Sequence, residues 1–307
     1  MIAASEVRDR LALAYEFCQR ALQEPPFPQI VARLGDHANP STAFQLLTQV
    51  TMYASPDALR ALCASVEVNP EDHAAERALL MLASQHASTQ VPALPVSERV
   101  KELFAEEFEF FANPGPVWMP QLGKDNVRFR EAARIATLRR FPAGQFQWEL
   151  DGVPRSWLWK TQSSMKLLRH VLLKMGGFSP TWEFHTNARR KNKGILTEKQ
   201  ACLSFYRGAK SMEKQPNIRA FMSTSWFYSE SAAQISPHLA WLRTLPQSGG
   251  AQIFELGLAA EDSGFLIGSV ERRKAYEEGR YHPRIACVLW ARKDFIAWAT
   301  QHPEYDL

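Results

Sequence analysis

Apolar positions in the first third of the chain recur at the period of a helix. Val7, Leu11, Ala14, Cys18 and Ala21 fall three or four residues apart and make one stripe. In "SERVKELFAEEFEFF", opened by Ser97, Val100, Phe104, Phe108 and Phe111 do the same. Three further helix starts pair a capping residue with proline: Asn39-Pro40, Ser55-Pro56 and Asn69-Pro70. The cap side chain satisfies an orphan amide, and proline at the first helical position has no amide to satisfy. These signals predict a helical module over residues 1–112, built from stacked hairpins and suited to packing or interaction rather than chemistry.

Proline and glycine crowd "ANPGPVWMP", residues 112–120, which predicts a domain boundary. Beyond it, over 113–307, stretches of period two appear. "GQFQWEL" reads as a strand, and Asp151-Gly152 after it predicts a hairpin turn before "VPRSWLW". A helix is expected at about 162–175, then the strand "TWEFHT", a basic loop "NARRKNKG" and a long helix from Thr197. Thr197 with Gln200 reads as a capping box, and Cys202, Phe205, Ala209 and Met212 read as the buried face. "IRAFMSTSW" is the next strand, with Ile218, Ala220, Met222 and Thr224 on one side and Arg219, Phe221, Ser223 and Ser225 on the other. Ser236-Pro237 starts a helix, "AQIFELG" is a strand, "SVERRKAYEEG" a helix ending at Gly279, and "RIACVLWA" the last strand. This predicts an α/β (α+β) class: a helical N-terminal module followed by a mixed, partly parallel sheet flanked by helices. Ligand sites are expected near strand ends, with 181–290 the candidate active region.

Composition narrows the setting. Among 307 residues, 46 % are hydrophobic and 22 % charged, as in an ordinary globular protein. No run reaches the roughly 18 to 20 apolar residues that cross a bilayer, so no membrane partner is expected. Charges within the first ten residues do not read as a secretory signal. Four scattered cysteines, Cys18, Cys63, Cys202 and Cys287, point to buried thiols in a cytoplasmic protein. The net charge of +4 is too small to call for nucleic acid, but residues 181–230 alone carry nine Lys/Arg against four acids. An anion would be drawn there first.

Two family resemblances fall on that stretch. Tyr206-Arg207-Gly208 and Ser223-Thr224-Ser225 look like pieces of the NAD-dependent ADP-ribosyltransferases, in the same order. Arg207, however, belongs to the capped helix rather than a strand, and no Glu-x-Glu follows, so that resemblance is set aside. The segment from about Thr181 to Trp290 resembles the second half of a GCN5-related N-acyltransferase: strand, basic glycine-containing loop, helix, strand, and later a helix tyrosine before a glycine-aromatic step. Arg189, Arg190, Lys191, Asn192, Lys193 and Gly194 stand at the loop position, where the resemblance implies binding of the pyrophosphate of an acyl-coenzyme A at a helix start. The loop departs from the family pattern at Leu196, where a small residue is usual, and one residue is inserted between Gly279 and Tyr281.

The resemblance also implies that Tyr276 protonates the departing thiolate. His185 or Glu183 would deprotonate an amine, and Ser223, Ser225, Trp226 and Tyr228 would line a substrate pocket. His185 ends its strand just before the basic loop; His238 is a weaker candidate base. The expected activity is acyl-CoA-dependent N-acyl transfer to a small amine. The histidines form no metal-ligand spacing, so no metal is expected. GxGxxG, GxxxxGK[ST] and GxSxG are absent as well. The alternative is a non-catalytic binding protein that offers Trp226, Tyr228 and Trp241, beside the basic loop, to a protein or nucleic-acid partner. Oligomeric state stays open.

Overall fold

The structure is a computed structural model and describes residues 3–69, 72–113, 127–187, 196–258 and 269–306. The chain divides into two compact units. One holds Met1–Gln147, Thr186–Leu196 and Asp306–Leu307; the other holds Trp148–His185 and Thr197–Tyr305.

The first unit is mainly helical: α1 (Ala4–Ala21), α2 (Phe27–Leu34), α3 (Pro40–Leu47), α4 (Asp57–Val66), α5 (Ala74–Gln90), α6 (Glu98–Ala112) and α7 (Val127–Ala136). At its centre lies α5, buried from Ala74 to Ser88 on nearly every side and touched by α1, α2, α3, α4, α6 and α7. Its alanines let neighbours approach closely, which an amphipathic stripe would allow on one face only. The stripe of α1 is buried at Val7, Leu11, Ala14 and Cys18, and that of α6 at Val100, Phe104, Phe108 and Phe111, as their spacing predicts. Asn39 caps α3 by accepting from the amides of Ser41 and Thr42. The other two proline starts differ. Helix α4 begins at Asp57 with Pro56 itself outside the helix, and α5 begins only at Ala74, after His73 in the left-handed region. A proline fixes its own φ but cannot decide whether the following amides find helical partners.

Six strands form one open mixed sheet in the order β1-β2-β3-β4-β6-β5. They are β1 (Arg140–Pro142), β2 (Phe146–Asp151), β3 (Thr181–Thr186), β4 (Ala220–Ser225), β5 (Gln252–Leu258) and β6 (Arg284–Ala291). In the second unit they alternate with α8 (Trp157–Lys160), α9 (Ser164–Arg169), α10 (Glu198–Glu213), α11 (Glu230–Ile235), α12 (Trp241–Ser248), α13 (Val270–Glu277) and α14 (Arg292–Gln301). The pair β3/β4 is parallel, with α10 between them in sequence; β4/β6 and β5/β6 are antiparallel. The expected α/β alternation and partly parallel sheet are therefore both present. Among the described residues, no helix is long and apolar enough to cross a membrane.

The side chains of this sheet sort by strand alternation. On one face, Trp148 stacks on Trp182 at 4.9 Å between ring centres, and Phe184 meets Phe221 at 4.4 Å. Phe205 of α10 and Phe295 of α14 close over them, the latter 4.8 Å from Trp290. On the other face, Ala220, Met222, Cys287, Leu289, Phe254 and Leu256 pack against Trp157, Leu167, Val171 and Met175. Helix α10 sits close to the sheet at Gly208, where a Cβ would lie 2.6 Å from Cζ of Phe184. Its expected face, Cys202, Phe205, Ala209 and Met212, is buried, and burial extends round the helix to Ser204, Arg207 and Ser211.

One expected element is missing. After Asp151 no second strand returns; Val153 donates to the Phe178 carbonyl and the chain turns into α8. Gly152 serves proximity instead of a turn, since a Cβ there would lie 2.9 Å from Cβ of Ser179. The helix expected at 162–175 is present as α9 and a π-helical turn, His170–Met175.

Candidate functional site

Sequence places two ionisable side chains on one side of β3, because Glu183 and His185 are two residues apart on a strand. A third comes from β2. Glu149 Oε1 lies 3.0 Å from Nε2 of His185, and Glu183 Oε2 lies 3.6 Å from the same nitrogen. These are ion-pair distances; the His185–Glu149 contact is not aligned as a hydrogen bond. The side chain of Glu149 is 2 % exposed and that of His185 23 %. A carboxylate so deeply buried is costly unless a donor or cation answers it, and the imidazole is one such group. Nε2 itself is shielded from solvent.

This cluster sits where β3 outruns its partner ladder. Parallel pairing joins Trp182 to Phe221 and Glu183 to Met222, and both strands then continue for three more residues, to Thr186 and Ser225. Over that stretch a side chain makes a link: the Ser223 hydroxyl donates to the Phe184 carbonyl at 2.8 Å. The carboxyl ends of parallel strands are where open α/β sheets take ligands. Helix α10 follows, its start capped by Thr197, whose Oγ1 accepts from the Gln200 amide at 3.4 Å; Glu198, Lys199 and Gln200 are exposed. Exposed amides at a helix start favour anions.

Other sequence candidates are distributed as follows. The cationic loop Arg189, Arg190, Lys191, Asn192, Lys193 and Gly194 lies outside the described residues. Tyr276, on α13, is half-buried and packs with Trp226 and Ile235 around Ala275 and Tyr281. The Arg272 guanidinium covers the Trp226 ring at 4.6 Å. Ser223 is buried by its bond to Phe184, and Ser225, at the strand end, is half-buried. Tyr228 is fully buried; burial pushes its phenol well up, and the neighbouring Ser223 hydroxyl draws it partly back. The aromatic surface imagined for a binding protein is thus not available at Tyr228, and Trp226 and Trp241 are half-buried. His238 is exposed in a short 3-10 turn, apart from any helix dipole of length.

Glu149 was not among the sequence candidates. Its strand reads as alternating, with Gln147 and Glu149 on the polar side, and polar strand faces ordinarily meet water. Here that side is buried, and Leu150 is exposed. Glu149, Glu183 and His185 also form a donor set whose ligand atoms lie within 4.8 Å of one another, a chemistry that suits a divalent cation.

No family model matches the chain, and no curated protein matches it. Among solved structures the chain is similar to an acyltransferase in complex with decanoyl-CoA, at 13 % identity and a TM-score of 0.48, over 94 % of this chain and 100 % of that one. It is also similar to an acyltransferase mutant in complex with octanoyl-CoA, at 12 % identity and a TM-score of 0.44, over 87 % of this chain and 85 % of the other.

Proposed function

We propose that the protein is an acyl-CoA-dependent N-acyltransferase acting on a small amine. The observation that carries this reading is the parallel pair β3/β4. Its ladder runs to Glu183 and Met222, both strands go on, and an imidazole held by a buried carboxylate sits on the continuing part of β3. A parallel pair bridged by a capped helix gives a thioester donor two things: the carboxyl ends of the strands and a helix start for its phosphates. The family resemblance implies that the cationic stretch 189–194, which lies outside the described residues, binds the donor's pyrophosphate.

In the reaction, Glu149 pairs electrostatically with His185 on its Nε2 side, and Nδ1 accepts a proton from the amine. The amine nitrogen attacks the thioester carbonyl, the C–N bond forms and the C–S bond breaks. Tyr276 gives its phenolic proton to the leaving thiolate, the role implied by the family resemblance. No cofactor beyond the acyl-CoA donor takes part in these steps.

Thermal unfolding with acetyl-CoA and longer acyl-CoAs tests the reading. A donor held at about 100 times its dissociation constant stabilises the fold by roughly 2.7 kcal/mol, an easily measured rise in Tm. A flat response to every chain length, together with salt-sensitive retention on RNA, would instead support the non-catalytic binding protein.

A further inference from the structure

Between Asp151 and Glu183 the only formal charges along the chain are positive. Residues 152–182 contain Arg155, Lys160, Lys166, Arg169 and Lys174 and no aspartate or glutamate, and all five cations are exposed. Large apolar side chains are exposed among them: Trp159 at 89 %, Leu173 at 75 %, Met165 at 68 % and Leu172 at 50 %. Single exposed apolar residues are ordinary, but four within fifteen positions of one segment, one a tryptophan, are not. The cause is visible in the packing. Leu167, His170, Val171 and Met175 point inward from α9 and its π-helical continuation, which leaves Met165, Arg169, Leu172 and Leu173 along the outer side.

We infer that this outer face docks on the surface of an anionic lipid bilayer. Protruding tryptophan and leucine side chains enter the boundary between head groups and acyl chains, while flanking cations meet the negative surface. A cleft of about 650 Å³ opens beside the same helix, lined among others by Lys166, Arg169, His170, Leu173 and Lys174, with Asp294 its acidic member. It offers a lipid head group a seat among cations. A second copy of the chain fits the face less well, because a two-fold contact would set this cation cluster against itself. The absence of a spanning run, which argued against a membrane partner, does not bear on surface docking. The inference is independent of the acyl-transfer reading.

Vesicle flotation decides it. The wild-type protein is expected to float with vesicles of phosphatidylcholine containing about 30 % phosphatidylglycerol, far less with pure phosphatidylcholine, and less as salt rises. Changing Lys166, Arg169 and Lys174 together to Gln removes three surface charges and lowers partition into the anionic vesicles roughly 100-fold, about fivefold per cation. Brominated lipid quenches the Trp159 component, defined as the difference between wild type and Trp159→Phe. All four positions are exposed, so circular dichroism should match wild type. If a variant nonetheless fails to fold, salt dependence and bromolipid quenching of the wild type still decide. No flotation with anionic vesicles, equal flotation with neutral ones, or flotation unaffected by the charge changes would each overturn the inference, and so would capture by an acidic protein without vesicle binding.

Discussion

In the proposed reaction His185 is the base, and Glu149 lies 3.0 Å from its Nε2. That carboxylate is one that solvent hardly reaches, which in the proposal leaves the other nitrogen for the amine. Replacing His185 by Ala should lower acyl-transfer turnover about 100- to 10,000-fold, the usual cost of losing a positioned base, with the fold intact by circular dichroism. Glu149→Gln should lower kcat with KM little changed, because in the proposed reaction it acts on His185 and not on the donor. Turnover unaffected by EDTA would separate this use of the cluster from a bound divalent cation. Unchanged kcat in the His185 variant would remove the assignment. The thiols make a second prediction at this scale. Burial pushes Cys18, Cys63 and Cys287 up to about 12, and Cys202 also upward. Alkylating reagent at about pH 8 should label the native protein slowly and all four cysteines in denaturant, by mass spectrometry. His185 and Glu183 were legible in the sequence because a strand puts i and i+2 together. Glu149 was not, since nothing local says that the polar side of β2 is buried.

At the scale of elements, α10 was the most legible piece. Its cap, its apolar face and its place between two strands all follow from residues a few positions apart. What could not be read was how tightly it sits. Gly208 looks like a weak point in a helix, yet the ring of Phe184 occupies the space a side chain would need. Gly208→Ala should therefore destabilise by about 1–3 kcal/mol through overpacking, although alanine is the better helix former. Urea unfolding would register this as a lower midpoint at unchanged slope. A gain in stability would mean that propensity outweighs the close approach. The false hairpin at Asp151-Gly152 has the same origin. Asp-Gly is locally a turn signal, while the reason for Gly152 is contact with Ser179, remote in sequence. Capping and periodicity are local and can be read; close approaches depend on partners that the local pattern does not name.

For the whole molecule, two histidines give stability opposite dependences on pH. Burial lowers the pKa of His170 below its ordinary 6.5, a shift partly opposed by Asp294 and by the Leu289 carbonyl. Between that lowered value and 6.5 the unfolded chain binds more protons, so stability falls as pH falls through the window. His73 is raised, first by its hydrogen bond to Glu76, so its contribution is complete below 6.5 and is lost as pH rises through the raised value. His170→Gln should flatten the loss of Tm as pH falls below 6.5, and His73→Gln the loss as pH rises above 6.5. Identical Tm–pH curves for both variants and wild type would contradict the assignment. The sheet order bears on how the chain is made. In the order β4-β6-β5, the strand nearest the C-terminus lies between two earlier ones. On the ribosome, β4 and β5 therefore emerge with bare edges and wait for residues 284–291 before either is paired on that side. Such edges recruit other chains, so the nascent protein should depend on a chaperone until its last strand clears the exit tunnel.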